Sequence, residues 1–250
     1  GDSIASGGNY NTLFGEDAGT ALTTGVQNTS IGFNTLAADT DGVANIAIGY
    51  GAMSSCTNLS GFNIAVGYQA LDTAGVTADN SVAIGKQAMG NGAVSGNGQV
   101  AIGKEAMYGL TDGLYNVGLG YHVLYNNTTA DKNIAIGHRA LYTFNALGVA
   151  NEIDGDGQNT AVGYQAGFYN QTGKYNTYFG SLAGFGADTA TTGSYNTAIG
   201  QAAGKVLQGD ANSNTFVGYG AGDTITTGND NIGIGRNTLG TATTASYCIA

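Results

Sequence analysis

The sequence contains no proline and no tryptophan, and only two of its 250 residues are cysteines. Without proline, its 44 glycines do not indicate a collagen triple helix, which requires both residues. Cys56 and Cys248 make neither a disulfide framework nor the short spacing of a metal site, so we expect one buried thiol and one thiol in a C-terminal tail, or a Cys248 bridge between subunits. No run of about 20 apolar residues is present, which excludes a membrane-spanning helix.

Charged residues are also scarce, at 10% of the chain, and those present give a formal net charge of −10 at pH 7. Binding to a nucleic-acid backbone requires basic patches, so we expect no nucleic-acid partner. The same balance argues against an anionic membrane surface, and we expect no membrane insertion. Apolar residues nevertheless make up 42% of the chain, which indicates a folded protein and not a disordered one.

The chain is built from a short phrase that recurs thirteen times and is clearest from Asn133 to Leu141, where it reads NIAIGHRAL. A glycine closes the first half of each copy, and successive copies follow one another at nearly constant intervals. These phrase glycines are Gly15, Gly32, Gly49, Gly67, Gly85, Gly103, Gly120, Gly137, Gly163, Gly180, Gly200, Gly218 and Gly235. A short period that persists along a whole chain in this way indicates a solenoid.

Residues alternate in character just before each phrase glycine, which predicts a half-buried β-strand of about five residues in every copy. The residue directly before the glycine is always apolar, the residue two positions earlier is Ile, Val or Thr, and the residue between them is usually Ala. We therefore predict an all-β parallel roll of about 13 coils. Its predicted repeat core is Phe14, Ile31, Ile48, Val66, Ile84, Ile102, Leu119, Ile136, Val162, Phe179, Ile199, Val217 and Ile234.

Three further columns run through the copies. Three residues after the phrase glycine, ten copies have Ala, which predicts a thin second buried face where another subunit comes close. The next position is Leu, Met or Gly, and Met53, Met89 and Met107 all lie there; we interpret them as core filling and not as a functional methionine cluster. Asn opens eleven copies, and Asn can hydrogen-bond to its counterparts along a stack.

The repeat predicts one domain over residues 1–240, with an insertion at 142–158 and a non-repeat tail at 241–250. The chain does not start with Met, so we expect a processed product or a piece of a longer protein. One coil brings too few apolar residues to order itself, so coils must stack. The thin stack predicts further association, and we expect a parallel homotrimer.

Two of the phrases, Ser81 to Gly85 and Gln99 to Gly103, resemble the head repeats of trimeric autotransporter adhesins. The copy from Asn159 to Gly167 is similar to repeats in phage tail-fibre and other viral fibre proteins. This resemblance covers about residues 9–240. It implies a left-handed parallel β-roll, three chains wide, outside the cell on a virion or cell surface. It also implies attachment to a host-surface glycan or protein.

Rival solenoids fit the sequence less well. A hexapeptide β-helix needs an apolar residue every six positions, but Gly90 and Gly96 follow Ile84 at those spacings. The nonapeptide calcium roll has a different period. An ice-binding solenoid needs outward ranks of Thr. Six copies do have Thr at the first strand position, but this column alternates with Ile and Val, so we expect it to face inward.

A possible cation site lies in the insertion, where Glu152, Asp154 and Asp156 alternate with other residues in a glycine-rich loop. Alternate oxygen ligands suit Ca²⁺, although Asp-Gly is also ordinary turn chemistry. Otherwise we expect no cofactor.

Tyrosine recurs directly after the phrase glycine, at Tyr50, Tyr68, Tyr121, Tyr164 and Tyr219. Such a rank of amphipathic rings could contact a saccharide or a protein, or it could only cover the edges of the roll and the seams between subunits.

No catalytic constellation is visible in the sequence, so we predict that the chain is not an enzyme. Its two histidines, His122 and His138, occupy adjacent columns of successive coils and should lie close together. They could form a metal or acid–base pair, or they could be solvated loop residues.

The leading hypothesis is a structural fibre or adhesin segment, and we favour a viral tail or surface fibre. The alternatives are a bacterial trimeric adhesin head and a subunit of a self-assembling extracellular filament.

Overall fold

The computed structural model describes residues 8–57, 59, 61–145, 157–186 and 191–250. The chain divides into two compact units, Gly1–Asn116 and Val117–Ala250. Each unit is a parallel β-solenoid in which every coil contributes one short strand, and the described residues include no helix. The predicted all-β repeat fold is therefore confirmed.

The strands of the first unit pair in chain order, each parallel to the next. They are β1 (Thr12–Phe14), β2 (Thr29–Ile31), β3 (Ile46–Ile48), β4 (Ile64–Val66), β5 (Val82–Ile84) and β6 (Val100–Ile102). Equivalent residues of successive copies are partners, as Ala47, Ala65 and Ala83 illustrate. The strands therefore pair with the same period as the sequence repeat.

The second unit follows the same rule. Its strands are β7 (Val117–Leu119), β8 (Ile134–Ile136), β9 (Thr160–Val162), β10 (Thr177–Phe179), β11 (Thr197–Ile199), β12 (Thr215–Val217) and β13 (Ile232–Ile234). The unusually long step between Gly137 and Gly163 leaves the register unchanged, since Ala135 pairs with Ala161. The longer step therefore does not disturb the pairing of β8 with β9.

The middle residue of each strand points into the coil, and the two flanking residues point outward. Ala65 is fully buried, whereas Ile64 and Val66 on either side of it are only half-buried. In ten of the thirteen strands this inward position holds Ala, Ser or Gly, and the residues on either side of it face out. This corrects the predicted repeat core. The following residues lie on the outward face: Phe14, Ile31, Ile48, Val66, Ile84, Ile102, Leu119, Ile136, Val162, Phe179, Ile199, Val217 and Ile234.

The same orientation places the Thr column of the first strand position on the outward face, with Thr160 paired to Thr177 and Thr177 to Thr197. The expectation that this column faces inward is therefore wrong.

Two other columns fill the interior of the coils. The Ala residues three positions after the phrase glycine, such as Ala70 and Ala140, are fully buried within the chain's own coils. The predicted second face against another subunit is therefore part of the core of each coil. Met53, Met89 and Met107 are fully buried as well, which confirms their core-filling role.

The alternation between Leu or Met and Gly in the last column reflects volume matching across the coil. Where the strand's middle residue is large, the position four after the phrase glycine is Gly. Tyr178 is matched in this way by Gly184, and Phe216 by Gly222: a Cβ on Gly222 would lie 2.5 Å from the Phe216 ring. In eight copies the middle residue is small and Leu or Met fills the space. In the other two copies with a small middle residue, Gly167 and Gly204 lie against the Tyr178 and Phe216 rings of the following coils. Core volume is thus kept nearly constant from coil to coil.

The Asn residues that open the copies form a buried hydrogen-bond ladder. The backbone N–H of Asn176 donates to Oδ1 of Asn159 at 2.9 Å, and that of Asn196 donates to Oδ1 of Asn176 at 2.8 Å. The side-chain amide of Asn176 donates to the carbonyl of Gly193 at 2.9 Å. The predicted role of Asn along the stack is confirmed.

Residues 241–250, predicted as a non-repeat tail, pair with the preceding coil and continue the solenoid. Ile249 pairs in parallel with Ile232, and the backbone N–H of Cys248 donates to Oδ1 of Asn231 at 3.0 Å. Cys248 thus occupies the Asn position of a further coil, and it is half-buried.

Cys56 is fully buried, as expected, and burial raises the pKa of its thiol.

Candidate functional site

The residues directly after the phrase glycines form stacked rows on the surface, which we call the post-glycine ladder. In the first unit, Phe33, Tyr50 and Tyr68 stack with ring centroids 5.2 Å apart at each step, and the Lys86 ammonium lies 5.5 Å from the Tyr68 ring centroid. Tyr50 and Tyr68 are about half exposed, at 51% and 46%.

In the second unit the ladder runs Tyr121, His138 and Tyr164, with centroid distances of 5.2 Å and 5.3 Å. Tyr219 lies further along the chain, beneath the Arg236 guanidinium at 5.6 Å. The structure thus places four of the five predicted contact tyrosines (Tyr50, Tyr68, Tyr121 and Tyr164) in stacks and Tyr219 in a cation–π pair. Their contact with a partner remains a prediction.

Ring stacking limits what the ladder can bind. Tyr50 and Tyr68 are nearly parallel, with an angle of 8° between their planes. Each inner ring therefore covers the faces of its neighbours, and a sugar cannot stack on those faces. The exposed parts of the rings are their edges and hydroxyl groups, which favour a ligand held by hydrogen bonds.

A second aromatic column lies beside the ladder in the second unit, five positions after the phrase glycine. It runs Tyr125, Tyr142, Phe168 and Phe185, with centroids 5.3, 5.1 and 5.5 Å apart. Sequence reasoning missed this column, although four consecutive copies have an aromatic residue there.

Both histidines lie within this aromatic surface. The His122 ring is 3.7 Å from the Tyr121 ring and 4.8 Å from that of Tyr125, so it bridges the two columns. His138 also stacks on the Tyr121 ring, at 5.2 Å. Both histidines therefore contact the same tyrosine ring. However, no group of three or more His, Cys, Asp or Glu side chains that could hold a metal occurs within the part of the chain that the structure describes.

Arg139 completes this group. Its guanidinium lies 5.4 Å from the Tyr142 ring centroid, and its Nε is shielded from solvent without a hydrogen-bond partner among the described residues. Arg139 forms no ion pair there either; the described pair is Lys104 with Glu105, at 3.3 Å. We call Tyr121, His122, His138, Arg139 and Tyr142 the basic aromatic cluster.

A groove elsewhere in the second unit offers a contrasting environment. It is lined by Tyr219, Asp223, Arg236 and Asn237, among others. Arg236 also lies over a tyrosine ring, but here a carboxylate shares the groove.

The predicted Ca²⁺ ligands Glu152, Asp154 and Asp156 lie outside the described residues.

Asp39 in the first unit is a fully buried carboxylate. It accepts hydrogen bonds from the backbone N–H groups of Gly42, at 3.1 Å, and Leu59, at 3.2 Å. Desolvation raises its pKa above the ordinary value of 3.8, and the nearby charge of Asp41 acts in the same direction. The folded state therefore favours the protonated form more than the unfolded state does.

We expect Asp39→Asn to become more stable relative to the wild type as pH rises. Below the unfolded pKa both states hold the protonated acid, so the wild type has its full stability; that contribution is lost as pH rises through the folded pKa. Urea midpoints of both proteins at about pH 4 and about pH 7 measure the change. The exposed Asp41→Asn serves as the control and should show a smaller change. Parallel curves for wild type and Asp39→Asn would contradict the assignment.

None of the described residues belongs to a helix that is long and apolar enough to cross a membrane. Comparison with protein-family models, curated proteins and solved structures finds no match for this chain.

Proposed function

We propose that this chain is a non-enzymatic segment of an extracellular fibre, which assembles as a parallel homotrimer and binds a host surface. We favour a viral tail or surface fibre, with a bacterial adhesin head as the alternative. The resemblance of the repeats to both groups supports this proposal.

The outward face of the strands is the observation that carries it. Within each unit the first and third strand positions place Ile, Val, Thr and Phe side chains in register along one surface. Several are well exposed in the single chain, including Ile134 at 41%, Ile199 at 39% and Phe179 at 54%. Contiguous apolar surface of this kind marks an interaction site.

Three copies of this face, brought together around one axis, would bury all of these side chains in a closed assembly. In a parallel arrangement, equivalent coils of the three chains lie at the same height along the axis. The apolar side chains of each strand then pack against those of the same strand in the other two chains. It also leaves the post-glycine ladders available on three chains at once. A host surface with repeated receptors would then be held by three sites, which strengthens attachment through avidity.

Light scattering coupled to size exclusion tests the trimer. We expect the assembly to have three times the 25.0 kDa mass of the single chain. Ile84→Asp should shift the mass toward that of the single chain, because it places a charge on the apolar face. Thr77→Asp introduces the same charge at an exposed position away from the strands and should leave the mass at that of the trimer.

A wild-type mass of 25.0 kDa would contradict the proposal. Very large, polydisperse species would instead favour the self-assembling filament.

A further inference from the structure

We propose that the basic aromatic cluster of the second unit binds a sugar that carries an oxyanion, either a carboxylate or a sulfate. This inference rests on the host-binding role proposed above and names the chemical class of its receptor.

The cluster reverses the charge of the protein locally. The chain has a formal charge of −10. Yet the segments that follow three successive phrase glycines, residues 121–125, 138–142 and 164–168, contain two histidines and one arginine and no acidic residue. On a protein of net negative charge, this region is therefore one where an acidic ligand meets reduced repulsion.

Ring contacts hold the histidine and arginine side chains in place before any ligand arrives. His138 is stacked between Tyr121 and Tyr164, and the Arg139 guanidinium lies over Tyr142. His122 lies against Tyr121. Side chains fixed in this way lose little conformational entropy on binding, so a larger share of the interaction energy appears as affinity.

Two buried nitrogen atoms of the cluster have no hydrogen bond to offset the cost of their burial. Nε of Arg139 and Nδ1 of His138 are shielded from water and have no hydrogen-bond partner among the described residues. An oxyanion placed beside them would offset this desolvation cost through its charge. Guanidinium groups bind carboxylates and sulfur or phosphorus oxyanions particularly well, because their planar fork matches two oxygen atoms.

The tyrosines favour a sugar over an aromatic anion. Ring faces inside the columns are covered by their neighbours, so a flat ligand has little surface to stack on. Tyr164 is 51% exposed, and its hydroxyl lies on a ring edge. A ligand rich in hydroxyl groups can use such edges while its acidic group lies at Arg139.

The test measures binding of three probes to the purified full chain by isothermal titration calorimetry: sialyllactose, sulfated lactose and lactose. We expect at least one acidic probe to bind, and lactose to bind at least about tenfold more weakly, since a charge-assisted hydrogen bond is lost. A preference for sialyllactose or for sulfated lactose identifies the oxyanion, and either preference supports the proposal.

Two arginine variants localise the binding. Arg139→Gln should weaken binding of the acidic probe at least about tenfold, and Arg139→Lys, which keeps the charge but not the fork, should give an intermediate loss. Arg236→Gln is the matched control, because Arg236 also lies over a tyrosine but shares its groove with Asp223; it should bind like the wild type.

The proposal is overturned if neither acidic probe binds, if lactose binds equally well, or if Arg139→Gln binds like the wild type. Its failure is separable from that of the fibre proposal. A trimer that binds no acidic probe overturns the ligand and leaves the assembly intact. A monomer that binds an acidic probe through Arg139 overturns the trimer and leaves the site intact.

Discussion

Gly67→Ala is expected to destabilise the first unit by roughly 3 kcal/mol or more, the sum of a strained backbone and a clash inside a packed stack. Gly67 has φ of +140°, a conformation that residues with a Cβ rarely adopt. A Cβ there would lie 2.6 Å from the carbonyl oxygen of Gly85 in the next coil. That coil cannot move away freely, because the Gly85 N–H donates to the carbonyl of Val66 at 2.8 Å.

Urea unfolding followed by circular dichroism measures this loss, with Gly75→Ala as the control in the same unit. Gly75 also has positive φ, at +81°, but the nearest atom to an added Cβ is the Cβ of Ala93 at 3.6 Å. We expect that variant to lose only about 1 kcal/mol, the cost of left-handed backbone without a clash. Equal midpoints for the two variants would show that the coil spacing tolerates a methyl group between phrase glycines.

Tyr178 should respond in opposite directions to two substitutions. Its side chain is the largest fully buried one among the described residues, and Tyr178→Ala is expected to cost about 3–5 kcal/mol because it leaves a cavity between coils. Its hydroxyl, however, has no hydrogen-bond partner among the described residues. Tyr178→Phe should therefore stabilise the second unit by about 1 kcal/mol, since it removes a buried polar group without changing the ring. Phe216 already occupies the equivalent position two strands later.

Chemical denaturation of both variants tests these two effects, and Tyr195→Phe provides the comparison. Tyr195 is 62% exposed and stacks on Tyr175 at 5.0 Å, so losing its hydroxyl should change stability by less than about 0.5 kcal/mol. A Tyr178→Phe variant less stable than the wild type would mean that the hydroxyl is hydrogen-bonded in solution.

The repeat predicts the existence and position of every strand, because strand and repeat share one period. It does not predict which face of the strand is inside. A period of two assigns alternate residues to opposite faces but does not say which face is buried. Packing within the coils decides the matter: the inward position holds Ala47 or Ala65, or a large ring such as Tyr178 where glycines leave room for it, whereas Ile48 lies outside. Hydrophobicity alone favours the opposite assignment.

The tyrosine column of the site is visible in the sequence because it recurs throughout the chain. Arg139 is not, because its environment is assembled from neighbouring coils: Tyr121 belongs to the preceding copy of the repeat, and Tyr164 follows only after the insertion. A single arginine in a repeat gives no periodic signal. Its significance depends on which side chains lie beside it, and a column alignment shows this only after the coils are known to stack in register.

A large residue at a strand centre is compensated by a glycine in its own coil or in a neighbouring coil. This pairing determines the smallest segment of the chain that could be transplanted or duplicated. Gly167 makes room for the Tyr178 ring of the following coil, and Gly204 does the same for Phe216. A coil inserted after Gly167 with Ala at its strand centre would leave a void, and a Tyr178 coil placed after Leu141 would collide with leucine. Neighbouring coils are therefore interchangeable only as matched pairs. We expect the number of turns to change by insertion or deletion of two adjacent coils whose strand centres and glycines fit each other.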